Sequence, residues 1–283
     1  MDKRTVGEQN ILKALELIWR FGWLRSQEIG LFLWQPQLFG PRHNFYKKNA
    51  EALVRRLLDQ KLVIPRKLPL NSGTALFLSA GGADALKKIG IAAESGKDIG
   101  KKGEDGVWIP PKKWKHHLLC AGALCHLSRA DYEIIPELEI KRKHKLKKYP
   151  DGIFYIDYDV EDEDGQVLEV SETYWLEVEN HRKTGPNMAF MTSCMLQSTK
   201  ENMLNDINEI CGRTINRLAL AFSEESKDEK GHKIDHELRV TNSLKSKIRK
   251  DLPINFIAME KYGLGVSSII RKEVIIKAKA LYA

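Results

Sequence analysis

The sequence has few cysteines, no long apolar run and no leader-like segment. Its 283 residues include four cysteines, which are too few and too scattered to form a disulfide framework. No apolar run approaches the roughly 18–20 residues that a membrane span requires. The opening residues, MDKRTVGEQN, lack the apolar core of a signal peptide. These absences predict a cytoplasmic protein with reduced thiols.

Several familiar signatures of catalytic and metal sites are also missing. The chain has no Gly-rich phosphate loop of the Walker type and no spacing typical of a Ser-His-Asp triad. His116, His117, Cys120, Cys125 and His126 are close together in sequence, which suggests zinc. One helix cannot gather four of them on one face, however, and no CxxC pair is present. The sequence therefore does not favour a zinc site.

Negative charge is scarce outside one stretch of the chain. The formal net charge is +8, yet residues 157–179 contain ten acidic residues and neither Lys nor Arg. Setting these ten negative charges aside leaves +18 on the remaining residues. This distribution favours a polyanionic partner, with nucleic acid ahead of the alternative of a merely solvated basic surface.

The first third of the chain predicts helices followed by a β-hairpin. Residues 8–20 place apolar side chains at helical spacing, and a short second helical segment follows. The third helix covers FYKKNAEALVRRLLDQKLV, and the sequence after it reads as strand, turn and strand. This order over residues 1–91 is the pattern of a winged helix-turn-helix, whose third helix would lie in the major groove of DNA.

The expected DNA contacts of this domain are basic side chains on the third helix and the hairpin. The helix places its Lys and Arg residues opposite an apolar face, and the hairpin residues would touch phosphate. The residues are Lys47, Lys48, Arg55, Arg56, Arg66 and Lys67. The alternatives are a solvated helix face and a module that binds protein rather than DNA.

A Gly-rich, charged stretch separates this region from the rest of the chain. Residues 92–106, AAESGKDIGKKGEDG, show no apolar period and are interpreted as a linker. Residues 107–283 then predict the element order α-β-β-β-α-β-α-β, an α/β domain with a mixed sheet. In this interpretation DYEIIPELEIKRK, at 131–143, is a strand. The fold class is therefore α+β.

Three acidic residues are expected to meet at one edge of that sheet. Asp151 opens the strand 150–160, and Glu177 and Glu179 share one face of the strand 173–180 because side chains alternate with period two. If the strands pair, Asp151 lies opposite Glu177. With the carbonyl of Val178 they would form an oxygen site for Mg²⁺ or Mn²⁺, able to activate water at a phosphodiester. The alternative is a solvated acidic hairpin.

A basic segment comes directly before Asp151. KRKHKLKK, at 141–148, has six Lys or Arg in eight positions and is expected to hold the DNA strand whose phosphate meets the metal. The residues are Lys141, Arg142, Lys143, Lys145, Lys147 and Lys148.

Pro150, Asp151 and Glu177, in this order of elements, resemble the motif of the PD-(D/E)xK nuclease superfamily. The wider layout, with a winged helix, a linker, a His-containing helix, PDG and WLEVEN, is similar to the MobC-type relaxases of mobilisable plasmids and the replication-relaxation group. The resemblance implies a winged helix followed by a restriction-endonuclease-like domain. It also implies a metal-dependent endonuclease that nicks DNA at a plasmid transfer or replication origin.

The same resemblance carries over further residues and partners. His117 matches a helix histidine of the group, Asp151 matches the Pro-Asp acid, and Glu177 and Glu179 match the strand acids. The implied partners are double- and single-stranded origin DNA and a relaxosome accessory or coupling protein in a bacterial cytoplasm. No tyrosine stands out as a covalent nucleophile among those that flank the site, Tyr149, Tyr155, Tyr158 and Tyr174.

One departure from the superfamily leaves the general base open. Glu179 occupies the position of the lysine that orients or deprotonates water, so Lys183 is the first candidate for the positive group. His181, Arg182 and Lys200 are the others. Glu179 could instead draw a second metal. Glu137 and Glu139 are the best match to the first acidic position of the superfamily, and they could either approach the metal or be exposed strand residues. Glu139 is added to the expected metal ligands.

Two alternative functions follow from these observations. The first is a non-catalytic DNA-binding regulator of replication or transfer with a degenerate nuclease fold, favoured by Glu179 in the lysine position. The second is the cleavage subunit of a restriction or transposition system.

Overall fold

The computed structural model of the chain describes residues 3–34, 45–162, 165–179, 183, 185–198, 209–223, 227–245, 252–262 and 265–276. The chain divides into two compact units, Met1–Cys125 and His126–Ala283. It contains helices together with a mixed parallel and antiparallel sheet, which confirms the predicted α+β class with a mixed central sheet. No described helix is long and apolar enough to cross a membrane.

The first unit contains helices and a small antiparallel sheet. Its helices are α1 (Lys3–Phe21), α2 (Ser26–Leu33), α3 (Phe45–Asp59) and α4 (Ala80–Lys87), and α5 (Trp114–Ser128) begins in this unit. Its strands are β1 (Trp23–Leu24), β2 (Val63–Lys67), β3 (Thr74–Leu78), β4 (Lys101–Lys102) and β5 (Trp108–Ile109). The first three strands form a sheet of order β1-β3-β2, and the last two form a separate hairpin.

Helix α3 packs through an apolar face, and its basic face is exposed to solvent. Ala50, Leu53 and Leu57 are buried at the three- and four-residue spacing of one helix face.

The turn between β2 and β3 reverses the chain within a few residues. Leu70 and Asn71 adopt left-handed backbone angles there, with φ of 55° and 51°.

The segment that the sequence predicts as a linker, residues 92–106, lies inside the first unit. Gly96 N–H donates to the Leu78 carbonyl of β3 over 2.8 Å. Arg66 of β2 donates to the Ile99 carbonyl over 2.6 Å, and Trp108 Nε1 donates to the same oxygen over 2.9 Å. These bonds attach the segment to the hairpin, so its glycines and charges serve a packed loop.

The second unit is built around a six-stranded sheet. Its elements after α5 are β6 (Glu133–Pro136), α6 (Glu137–Lys143), β7 (Gly152–Glu161), β8 (Val167–Glu179), α7 (Gly185–Ser198), β9 (Glu209–Ile210), β10 (Arg213–Thr214), β11 (Arg217–Ser223), α8 (His236–Lys245), β12 (Leu252–Tyr262) and β13 (Gly265–Ile276). The strand order is β13-β12-β11-β8-β7-β6. Strands β8, β11 and β12 run parallel, and β6, β7 and β13 pair antiparallel with their neighbours.

One predicted strand is partly a helix. The prediction over 131–143 holds for Glu133–Pro136, but the chain then forms α6. Two acids in the first turn and three basic residues in the last turn complement the helix dipole. Ion pairs at i, i+4 join Glu137 to Lys141 and Glu139 to Lys143. Glu137 and Glu139 therefore lie on a helix rather than on a strand.

An apolar core on one face of the sheet determines where the acidic residues lie. Helix α7 contributes Met188, Met191 and Met195 to it, and β8 contributes Trp175. Since strand side chains alternate, Glu177 and Glu179 lie on the same face as Trp175. Because the core covers this face of β8, the carboxylates of Glu177 and Glu179 are buried as well.

Candidate carboxylate site

Two acidic residues face each other across the start of β7 and the end of β8. The register pairs Gly152 with Leu176, so that Asp151 falls opposite Glu177, as the sequence predicts. Asp151 N–H extends the ladder by donating to the Leu176 carbonyl over 2.9 Å. Their exposed fractions are 8% and 1%, so both carboxylates are removed from water. The alternative of a solvated acidic hairpin does not describe these two residues.

The main chain of β8 holds the Asp151 carboxylate. Val178 N–H donates to Asp151 Oδ2 over 2.7 Å, which fixes this side chain against the neighbouring strand. The peptide of Val178 thus contacts the acid through its amide. Its carbonyl as a metal ligand stays a prediction.

The Glu177 carboxylate receives two side-chain donors on one oxygen. Lys148 Nζ lies 2.5 Å from Oε1, and Trp175 Nε1 lies 2.7 Å from the same atom. Lys148 also donates to the Tyr149 carbonyl over 3.2 Å. The last lysine of the basic segment is therefore turned towards the acids, whereas the sequence predicts it as a DNA contact.

Burial and charge repulsion dominate the electrostatics of Glu177. Burial raises the pKa of this carboxyl, and the nearby Asp151 carboxylate raises it further, against the opposing effects of Lys148 and Lys183. For Lys148, burial lowers the pKa, but Glu177 and Asp151 together raise it above the usual value. The two carboxylates thus favour the charged form of the Lys148 ammonium.

Glu179 has its own lysine partner. The carboxylate is 3% exposed and forms an ion pair with Lys183, four positions along the chain. Arg239 of α8 donates to the Lys183 carbonyl over 2.5 Å, which ties this residue to the helix layer. Lys183 is thus placed beside one of the strand acids. The other candidates for the positive group, His181, Arg182 and Lys200, lie outside the described residues.

The donor set suits a hard divalent cation. Asp151, Glu177 and Glu179 offer carboxylate oxygens, the ligands that Mg²⁺ and Mn²⁺ prefer. The raised pKa of Glu177 reflects the cost of holding buried negative charge beside Asp151, a cost that a bound cation relieves. The chemistry of the three carboxylates allows Mg²⁺ or Mn²⁺, and the metal itself stays a prediction.

Two other predicted site residues have structural partners. The ring of His117 stacks on Trp23 with centroids 4.1 Å apart, and its Nε2 donates to the Trp23 carbonyl over 2.9 Å. Both residues belong to the first unit, where this histidine joins α5 to β1. Glu139 pairs with Lys143 over 3.0 Å on α6. His117 thus joins two elements of the first unit, whereas the ion pair of Glu139 lies within α6.

Most of the predicted DNA-binding residues are exposed to solvent, although Lys141 and Lys143 also form ion pairs within α6. The exposed ones are Lys47, Lys48, Arg55, Arg56, Lys67, Lys141, Arg142, Lys143, Lys145 and Lys147. Arg66 is engaged, because its guanidinium donates to backbone carbonyls of Lys97 and Ile99 and lies 5.0 Å from the Phe77 ring centroid. Burial lowers its pKa. Arg66 therefore holds the 92–106 loop, and its role as a phosphate contact stays a prediction.

Two of the tyrosines near the site, Tyr158 and Tyr174, do not share the face of Glu177, whereas Tyr155 pairs with Thr173 and does share it. Tyr158 and Tyr174 donate to the two oxygens of Glu172, over 3.0 and 2.7 Å. Glu172 and Tyr174 occupy even-numbered positions of β8, whose side chains point to the face opposite Glu177. Burial, followed by the bond to Glu172, raises the pKa of Tyr174. This environment disfavours the phenolate that a nucleophilic tyrosine would need.

Sequence reasoning missed two residues of the site. Lys148 belongs to a run of basic residues that were all predicted to be DNA contacts, so its contact with Glu177 was not predicted. Trp175 precedes Glu177 by two positions, so the period of the strand could have placed its indole beside that carboxylate.

Comparison with known protein families, with curated proteins and with solved structures finds no match to this chain.

Proposed function

We propose that the protein is a metal-dependent DNA endonuclease that nicks at a plasmid transfer or replication origin. The observation that carries the proposal is the buried pair Asp151 and Glu177, which face each other across β7 and β8 with Lys148 bonded to Glu177. Buried like charges are costly to fold, and they are typical of sites that bind a cation for chemistry. The resemblance to PD-(D/E)xK nucleases and MobC-type relaxases supplies the reaction class.

Asp151, Glu177 and Glu179 would hold the metal. Bound Mg²⁺ or Mn²⁺ supplies Lewis-acid stabilisation of the phosphodiester and activation of water. Val178 N–H keeps the Asp151 carboxylate in place, and Trp175 does the same for Glu177. Both acids are thereby oriented before any ligand arrives, which is the preorganisation that a catalytic site needs.

Lys148 takes the place of the lysine that Glu179 displaces. Its ammonium contacts Glu177, and its pKa is raised, so it is protonated at neutral pH. A protonated lysine acts as a hydrogen-bond donor to water or to a phosphate oxygen, and not as a general base. Lys183, paired with Glu179, is the second positive group at the same strand end.

DNA recognition is assigned to the first unit, which we propose to be a winged helix-turn-helix. The element order of three helices and a three-stranded sheet agrees with this assignment. Lys47, Lys48, Arg55 and Arg56 form an exposed basic face on α3. In the second unit the exposed lysines of segment 141–147 would lie along the strand to be cut.

A second candidate function is a DNA-binding regulator of replication or transfer without catalytic activity. The two lysine partners support it, because Glu177 and Glu179 each have an ion pair that can be purely structural. In that case the acids hold strand ends together and no cation enters.

A nicking assay separates the two functions. Supercoiled plasmid carrying the native origin is incubated with the protein in Mg²⁺ or Mn²⁺, with EDTA, Asp151→Asn and Glu169→Gln as controls. Glu169 is an exposed acid on β8 and serves as the matched control. We expect open-circle product from the wild type and Glu169→Gln alone. Tight DNA binding without nicking by the wild type would establish the regulator instead.

A further inference from the structure

The outer part of the β7–β8 hairpin extends past the rest of the sheet. Strand β6 pairs with β7 only as far as Tyr155, and β11 pairs with β8 only from Tyr174. Beyond these points the two strands pair with each other, from Tyr158 opposite Val170 onwards. Among the described strands, none pairs with either outer edge. We call residues 158–170 the ribbon.

The base of the ribbon is rigidly attached. Arg213 pairs with Asp157 over 2.8 Å, and Asn216 Nδ2 donates to the Ser171 carbonyl over 2.6 Å. Asp157 and Ser171 directly flank the ribbon, and their partners lie on β10 and just before β11. The ribbon is therefore a fixed extension of a six-stranded sheet.

One face of the ribbon is apolar and has no cover in the described structure. The cross-strand pairs Tyr158–Val170 and Val160–Leu168 share this face. Tyr158, Val160 and Leu168 are 39%, 41% and 50% exposed. A two-stranded ribbon is marginally stable in water unless such a face is packed. Exposed apolar pairs with two open strand edges point to a docking surface.

The opposite face indicates the charge of the partner. Asp159 lies directly opposite Glu169, and like charges in this position destabilise a strand pair. Neither acid has a basic partner among the described residues. The ribbon contains six acidic residues and no Lys or Arg, so its partner is basic and is not nucleic acid.

The chain itself carries the complementary charge. Apart from the ribbon its net charge is +14, because six of its negative charges lie in the ribbon while the whole chain carries +8. Segment 141–147 exposes Lys141, Arg142, Lys143, Lys145 and Lys147. It ends five positions before Gly152, and Gly152 is paired with Pro136, directly ahead of α6. The segment therefore lies near the opposite end of β7 from the ribbon.

The ribbon and the basic segment of one molecule are too far apart to meet. Gly152 and Asp159 are seven residues apart on one strand, which corresponds to about 23 Å at the rise of a β-strand. Since the ribbon is fixed at its base, it cannot fold back over that distance.

We propose that the ribbon docks on the basic segment 141–147 of a second copy of this chain. Two copies in antiparallel orientation place each ribbon on the other's basic segment. Both contacts form at once and the assembly closes as a twofold dimer. This inference goes beyond the proposed function and does not rest on metal chemistry or cleavage. A docked ribbon would cover the segment that we propose to hold the DNA strand, so ribbon and DNA would compete for residues 141–147.

The first test is the mass of the full chain in solution, without DNA or metal, across ionic strength. Sedimentation equilibrium at low salt and high protein concentration should give a mass approaching twice 32.4 kDa. The mass should return to 32.4 kDa near 1 M salt, where the screening length falls to about 3 Å. A monomer under all conditions, or a dimer indifferent to salt, overturns the proposal.

The second test exchanges the charges of the two surfaces. Asp159→Lys with Glu169→Lys reverses the ribbon, and Lys145→Glu with Lys147→Glu reverses the basic segment. We expect each pair of substitutions alone to abolish dimerisation. Mixing the two variants, or combining all four substitutions in one chain, should restore it.

Restoration is the decisive outcome, because damage to folding cannot produce it. Circular dichroism and thermal unfolding of each variant confirm that the chains are folded. If either variant still dimerises like the wild type, or if the mixture stays monomeric, the ribbon does not bind segment 141–147 and the proposal fails. The salt titration of the wild type tests the proposal even if a variant does not fold.

Discussion

Lys148 Nζ lies 2.5 Å from Glu177 Oε1, although the two residues are 29 positions apart in sequence. The contact brings the last lysine of a basic segment to the end of a central strand. Asp151, three positions after Lys148, lies opposite the same glutamate. A buried carboxylate pair, with a lysine ammonium bonded to Glu177, is the centre of the proposed site.

Replacing Lys148 with Met should separate a catalytic role from a metal-binding role. The variant removes positive charge beside two carboxylates, so Mn²⁺ affinity should be retained or increased. Cleavage should fall by about 10²-fold or more, because the donor to water or phosphate is lost. The unpaired Glu177 should also cost about 1–3 kcal/mol of stability.

The measurements for this prediction are calorimetric Mn²⁺ titration, plasmid nicking and urea unfolding of Lys148→Met and Lys148→Arg. Arginine keeps the charge but changes its geometry, so it should recover stability more than cleavage. Full nicking activity in Lys148→Met would rule out the proposed role of this lysine.

The raised pKa of Glu177 predicts a pH-dependent stability in the metal-free protein. The folded chain holds this proton at pH values where the unfolded chain has lost it. The stability due to this group is therefore complete below the unfolded pKa and is lost as pH rises through the raised folded pKa. Each pKa unit of upward shift corresponds to about 1.4 kcal/mol.

In the Glu177→Gln variant the side chain at this position cannot titrate. The free energy of unfolding of the variant, relative to that of the wild type, should therefore increase as pH rises from the unfolded pKa of Glu177 through its folded pKa. Urea unfolding in EDTA from about pH 4 to pH 8 measures the difference. Glu169→Gln, which alters an exposed acid of the same strand, should show a much flatter difference. A difference between Glu177→Gln and the wild type that does not change with pH would contradict the assigned pKa direction.

The exposed basic face of α3 should dominate duplex binding by the first unit. Lys48→Ala and Arg55→Ala remove one phosphate contact each, so each should weaken binding and reduce the salt slope by about 1. Fluorescence anisotropy of a labelled duplex at several salt concentrations measures both quantities. Lys88→Ala, an exposed lysine at the end of α4, is the control. An unchanged slope in both α3 variants would place DNA binding elsewhere.

The strand periodicity predicted the acid site well and the basic residues around it poorly. Alternation placed Glu177 and Glu179 on one face, and strand pairing placed Asp151 opposite Glu177. The basic segment offered no comparable pattern. The orientation of a lysine side chain depends on where a buried carboxylate lies in the folded protein. The position of Lys148 near Asp151 in sequence did not predict that Lys148 would point to Glu177.

Other differences arose where local sequence has more than one meaning. Residues 131–143 start like a strand with Ile134 and Ile135, but Pro136 ends the strand and the charge order of ELEIKRK favours a helix. The Gly-rich segment 92–106 looks like a linker until Arg66 and Trp108 bond to its carbonyls. His117 resembles a catalytic histidine in sequence, yet its ring lies on Trp23.

The measurement that tests the central claim most directly is calorimetric titration of the metal-free protein with Mn²⁺. The account predicts saturable binding to the wild type, loss of at least about 10-fold in affinity in Asp151→Asn, and unchanged binding in Glu172→Gln. Glu172 is the matched control, since it is a partly buried acid of β8 on the opposite face. Absence of saturable binding to the wild type, or equal binding to Asp151→Asn, would contradict a metal site at Asp151 and Glu177.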